Sequence, residues 1–112
     1  MPQFILKSPS SITANESPVI LPDLRPTLKT REPWGWVSGE VELAVFMGRE
    51  AHRIPAEKVS EYIDGYSILN DVTQRDLQTR GFPHSMAKSF PTFAPMGPRL
   101  VPKDEISSPE SL

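Results

Sequence analysis

Cysteine is absent from the 112 residues, which excludes disulfides and thiolate metal sites and leaves the redox compartment open. Long hydrophobic runs are absent too. Phe4, Ile5 and Leu6 form a run too short for a signal-peptide core, and nothing approaches the length of a membrane span. The cytoplasm is the expected location, with no membrane partner. Neither sign of charge is in excess. Twelve basic and 14 acidic residues leave a net charge of -2, so nucleic acid is not an expected partner. Histidine is scarce, with two in the chain. No internal repeat, phosphate-binding glycine loop, dinucleotide fingerprint or Ser-His-Asp grouping is present.

What remains suits one soluble domain. A chain of this size buries roughly 60–70% of its unfolded surface, enough for one modest core. Proline is plentiful, with 13 residues, all but Pro55 gathered in 2–33 and 83–109, so loops are expected at both ends. Residues 4–7 suit a strand, and residues 18–22 suit a short proline-bracketed edge strand. Lys7 reads most simply as a solvated lysine at a strand end. Residues 23–38 lack any period and read as a long loop, in which Trp34 and Trp36 share a side and cover a core edge.

Farther along, Gly48, Arg49 and Glu50 suit a turn, with residues 51–54 returning as a hairpin strand. His52 in that connection reads as a satisfied or solvated histidine rather than a ligand. Residues 55–65 show the clearest helix pattern: proline in the first turn, acids behind it, Gly65 as cap, and a stripe of Val59, Tyr62 and Ile63. Residues 66–72 predict an apolar strand ending at Asp71. Residues 73–80 predict one or two helical turns, with Arg75 and Gln78 on one face and Asp71 four residues ahead of Arg75. A local ion pair is the plain reading of that spacing. Residues 81–98 read as loop, with His84 in a mobile stretch and Lys88 among small and apolar neighbours that partly bury it. Residues 99–102 suit a last short strand, and residues 103–112 a frayed polar tail.

The most informative stretch is residues 40–47. In a strand, side chains alternate between faces, so Glu40 and Glu42 point one way while Val41, Leu43 and Val45 form a core face. Two neighbouring carboxylates repel. A solvated acidic face tolerates them, and so does a bound hard cation such as Mg2+, which takes oxygen ligands.

The combination Glu40-Val-Glu42-Leu-Ala-Val, Gly65-Tyr66, Asn70-Asp71-Val72-Thr73, Arg75-Asp76, Gln78 and Ala87-Lys88-Ser89-Phe90 closely resembles the central part of the fumarylacetoacetate hydrolase family's catalytic domain. The resemblance runs from about residue 4 to residue 101, so residues 1–102 are expected to form a partial catalytic domain. It implies an α+β, mainly β fold of the family's roll or barrel-like type, here incomplete. Glu40, Glu42 and Asp71 match the family's ligands for Mg2+, sometimes Mn2+ or Ca2+. Arg75 and Gln78 match residues that reach substrate carboxylate or keto oxygens. Lys88 matches the family's active-site lysine, Thr92 matches a hydroxyl near it, and Lys7 ahead of Ser-Pro-Ser looks like the entrance to the site.

Family enzymes hydrolyse, decarboxylate or isomerise small keto or dioxo dicarboxylic acids, as 2-hydroxyhepta-2,4-diene-1,7-dioate isomerases or acylpyruvases do, often as homodimers. The implied partner is such a keto acid, with a second copy of the chain. The family's upstream histidine or acid, and its downstream Gly-Asp and Thr-Gly-Thr-Pro region, have no match here. The expectation is therefore a fragment, truncated frame or piece of a split enzyme. The alternative is a remnant that binds metal without independent turnover, and a more distant one is an unrelated β domain.

Overall fold

A computed structural model describes residues 2–29 and 35–112. Trp34 lies outside the described residues. The strands are β1 (Ile12–Ala14), β2 (Val37–Ser38), β3 (Val41–Met47), β4 (Ile63–Asn70), β5 (Thr73–Gln74) and β6 (Ala94–Pro102), with short helices α1 (Arg25–Leu28), α2 (Arg75–Thr79) and α3 (His84–Lys88). A four-stranded sheet runs β1-β6-β4-β3, parallel at β1-β6 and antiparallel elsewhere, and β2 pairs antiparallel with β5. No helix among the described residues is long and apolar enough to cross a membrane.

The core sits beside the sheet rather than on the expected face of β3. Leu24, Leu28, Leu77 and Ala87 are buried together from the three helices, with Phe82 and Phe90 packed against them. By contrast Val41, Leu43 and Val45 are 88%, 43% and 46% exposed. The strand forms as expected, at one end of the sheet, but its Val41-Leu43-Val45 face is left largely open among the described residues. Residues 51–54 form no return strand, so no hairpin covers its outer edge.

The expected helix at 55–65 is a 3-10 helix, Ala56–Tyr62, with no buried residue to pull it into a packed α-helix. Gly65 is not its cap. It lies in β4, where a Cβ would come within 2.2 Å of the Val101 carbonyl oxygen, so glycine permits the close β4-β6 approach. Residues 4–7 and 18–22 belong to no strand, and the Ile20 amide donates to the Thr92 hydroxyl instead.

The loop expected at 23–38 contains α1, and Trp36 is 59% exposed rather than covering a core edge. Its backbone is what the fold uses: the Trp36 amide donates to Asp76, and its carbonyl accepts from the Arg75 amide at 2.8 Å. Residues 81–98, expected as loop, hold α3 and the start of β6. The prolines of β6 are accommodated by a parallel pairing at Pro95 and by a register shift opposite Gly97 and Pro98. In residues 103–112 two 3-10 turns form, Lys103–Glu105 and Pro109–Ser111, and the Lys103 ammonium donates to the Ser60 carbonyl at 2.9 Å.

Candidate metal centre

The antiparallel register of β3 and β4 assembles the acidic cluster. Val41 lies opposite Asn70, and the next pair outward is Glu40 with Asp71, whose amide donates to the Glu40 carbonyl at 2.8 Å. Opposed residues in a sheet share a face, as do residues two apart on one strand. Glu40, Glu42 and Asp71 therefore point to the same side, and an oxygen of each lies within 4.8 Å of the others. Gly39 contributes by having no side chain, since a Cβ there would sit 2.6 Å from the Asn70 side-chain oxygen.

Three cations converge on these carboxylates. The Lys88 ammonium, at the C-terminal end of α3, is 3% exposed and donates both to Asp71 and to Glu40, the latter at 3.1 Å. The Arg75 guanidinium pairs with the other oxygen of Glu40. It is aimed by bonds from Nε to the Ser38 hydroxyl at 2.7 Å and from Nη1 to the Gln78 side-chain oxygen at 2.9 Å. Arg75 thus turns to Glu40, not to the sequence-local Asp71. The Lys7 ammonium takes the other oxygen of Asp71.

Lys7 is the residue that its local sequence described least well. Expected as a solvated strand-end lysine, it is largely buried in an ion pair 64 positions away. The Ser-Pro-Ser that follows was the one signal available. There the Ser8 amide donates to the Ser89 hydroxyl at 2.9 Å, which ties the residue after Lys7 to the residue after Lys88. Ser38 and Thr73 were also missed. The buried Thr73 hydroxyl donates to the Asp71 carbonyl at 3.1 Å.

Gln78 reaches the cluster through Arg75, whereas Thr92 does not join it, its hydroxyl being held by Ile20. Glu42 is exposed and makes no ion pair among the described residues. Neither histidine belongs to the acidic cluster. His84 lies in α3, with its Nδ1 at 3.4 Å from Gln3, and His52 is exposed.

The cations alter how the cluster titrates. Burial pushes the Glu40 carboxyl up, but hydrogen bonds and charge from Lys88, then Arg75, outweigh it and hold the group below the ordinary glutamate range. Burial also works against the charged Lys88. Hydrogen bonds and charge from Asp71 and Glu40 overcome it and hold the ammonium above the ordinary lysine range. A lowered carboxyl stabilises the fold above its unfolded pKa of about 4.3 and loses that contribution as pH falls through the folded value. A raised lysine contributes fully below about 10.4 and loses it as pH rises through its folded value. In chelator, thermal unfolding should therefore show a plateau of stability from mildly acidic to mildly alkaline pH, with a fall at each end. Lys88→Met should lose the part of the alkaline fall due to this lysine. An alkaline limb identical in parent and variant would refute the assignment to Lys88.

All 112 residues match the profile described as fumarylacetoacetate (FAA) hydrolase C-terminal. An uncharacterised protein of Pyrococcus abyssi is 44% identical over 109 residues, covering 94% of this chain and 44% of that protein. The mitochondrial oxaloacetate tautomerase Fahd2a of Rattus norvegicus is 38% identical over 112 residues, covering 99% of this chain and 33% of the tautomerase. The crystal structure of 5-carboxymethyl-2-hydroxymuconate delta-isomerase from Mycobacterium smegmatis is 35% identical, with a TM-score of 0.74, over 88% of this chain and 36% of the isomerase. The chain thus spans less than half the length of these relatives and shares the sheet-rich mixed fold of the part it matches. With its whole length matched by that profile, the chain belongs to the fumarylacetoacetate hydrolase family.

Proposed function

We propose that the chain carries the metal- and acid-binding part of a divalent-metal-dependent enzyme acting on small keto or dioxo dicarboxylic acids, with keto-enol or double-bond isomerisation as the reaction. C–C hydrolysis and decarboxylation, which pass through a similar enolate, are the neighbouring chemistries. The observation that carries this reading is the convergence of three carboxylates with a buried lysine bridging two of them. The names of the tautomerase and isomerase relatives support the isomerisation.

The donor set fits a hard ion. Three carboxylates offer oxygens within 4.8 Å of one another, a spread that Ca2+, at about 2.3–2.6 Å from each oxygen, would span and that Mg2+ or Mn2+ would draw in slightly. Glu40, Glu42 and Asp71 would hold it. A divalent cation there would polarise a keto oxygen and offset the charge of an enolate. The chain's own cations do the rest. Arg75, fixed by Ser38 and Gln78, keeps a second N–H on Nη1 and on Nη2 beyond its bonds to Gln78 and Glu40, and these would meet a substrate carboxylate. The ammonium of Lys88, charged over the working pH range, donates to the oxygen on which negative charge grows and holds a proton at Nζ within reach of it. Lys7 holds Asp71 in place through their ion pair.

A second reading, metal and acid binding without effective turnover by residues 1–112 alone, is favoured by the lack of a histidine in the cluster. A positioned base contributes about 10²- to 10⁴-fold. The two readings separate in one assay: Mg2+- or Mn2+-dependent change in the enol absorbance of oxaloacetate and of a hydroxymuconate-type acid, beside a full-length family member at equal concentration. The expected result is a chelator-sensitive rate above buffer, about 10²- to 10⁴-fold below the full-length enzyme. Metal and acid binding with no rate above buffer selects the second reading. Failure to bind a divalent ion overturns both.

A further inference from the structure

Among the described residues the cluster holds three carboxylates, Glu40, Glu42 and Asp71, and three cations, Lys7, Arg75 and Lys88. It is electrically neutral before any ion or acid arrives. Both oxygens of Asp71 face ammonium groups, and both oxygens of Glu40 face Lys88 or Arg75. A divalent ion entering this set, between the exposed Glu42 and the buried Asp71 and Lys88, leaves a surplus of two positive charges at a partly buried place. Each carboxylate oxygen has a further lone pair, so the lysines need not leave, and while they stay the surplus stays with them. A buried charge without compensation is costly. A small dianion removes the surplus and gives the ammonium and guanidinium groups new acceptors. A monoanion cancels half of it.

We infer that Lys7, Arg75 and Lys88 are built-in counter-ions that make the binding of a divalent metal and of a dianionic acid mutually dependent. The inference rests on the proposed metal-binding role of Glu40, Glu42 and Asp71. It adds a selection by charge: with the metal in place, the site prefers a ligand of charge -2 over one of -1. Linkage requires the effect to be reciprocal, each ligand raising the affinity of the other by the same factor.

The test follows free Mn2+ by electron paramagnetic resonance as it is titrated with the chain at mildly alkaline pH, alone, with malonate and with acetate, each corrected for complexes in solution. Malonate should tighten Mn2+ binding on the order of tenfold or more, and acetate by less than about threefold. Calorimetry of malonate binding with and without Mn2+ should return the same factor. Lys7→Met, which leaves the empty cluster with one net negative charge, should tighten Mn2+ binding in the absence of acid and shrink the malonate factor.

Equal Mn2+ affinities with and without malonate, or equal factors for malonate and acetate, would overturn the coupling while leaving the metal site standing. An unchanged malonate factor in Lys7→Met would overturn the role given to the counter-ions. Absence of Mn2+ binding under every condition would overturn the metal reading itself. If Lys7→Met does not fold, the parent titrations decide the coupling on their own.

Discussion

Replacing Lys88 by methionine is expected to lower the stability of the metal-free chain by about 3 kcal/mol, the lower end of the range for breaking a buried ion pair. The side chain is 4% exposed and bridges two carboxylates. Without its charge, Glu40 and Asp71 repel across the gap it filled, and Asp71 keeps Lys7 as its remaining counter-charge. That partner is why the lower end applies. For a domain near this size, such a loss moves Tm down by on the order of 10 °C. Methionine retains most of the aliphatic bulk, so the effect reports charge rather than a cavity. Thermal unfolding in chelator measures it. Millimolar Mn2+ should then raise the Tm of the variant more than that of the parent, because an ion can take over the role of the missing ammonium. A variant within about 0.5 kcal/mol of the parent, the usual range for an inert surface change, would show that the bridge contributes nothing.

Glu42→Gln separates the metal site from the fold. Glu42 is exposed and carries no ion pair among the described residues, so removing its charge costs the metal-free chain nothing and relieves repulsion with Glu40. Metal-free stability should be equal to the parent's or slightly higher. A metal at 100 times its Kd stabilises a folded protein by about 2.7 kcal/mol, or on the order of 10 °C at this size. A hundredfold loss of affinity would leave only about 0.4 kcal/mol of that at the same concentration. Scanning fluorimetry with and without Mn2+ is sufficient. Equal metal-induced shifts in parent and variant would remove Glu42 from the ligand set.

The local pattern carried the side-chain directions well. The two-residue spacing of Glu40 and Glu42 put them on one face of a strand, as observed. The four residues from Asn70 to Thr73 announced a strand end bearing an acid. The three-residue spacing of Arg75 and Gln78 put them on one helix face, where they hydrogen-bond at 2.9 Å. Backbone periodicity is a property of each segment alone, so these relations survive whatever the segment packs against.

Tertiary structure decided the rest. Periodicity says which side chains share a face, but not which face is covered. Val41, Leu43 and Val45 alternate along β3 and are still exposed, because what packs over a sheet face comes from elsewhere in the fold, and among the described residues that face is left largely open. Nor could local spacing say that Arg75 would turn to Glu40, 35 positions away, instead of Asp71 four positions away. Lys7 and Lys88 come to the two oxygens of one aspartate from segments separated by 64 and 17 positions. Such pairs depend on strand register and on where α3 and the chain before β1 come to rest. Those are long-range contacts, and a buried charge takes whichever partner the packed backbone brings within reach.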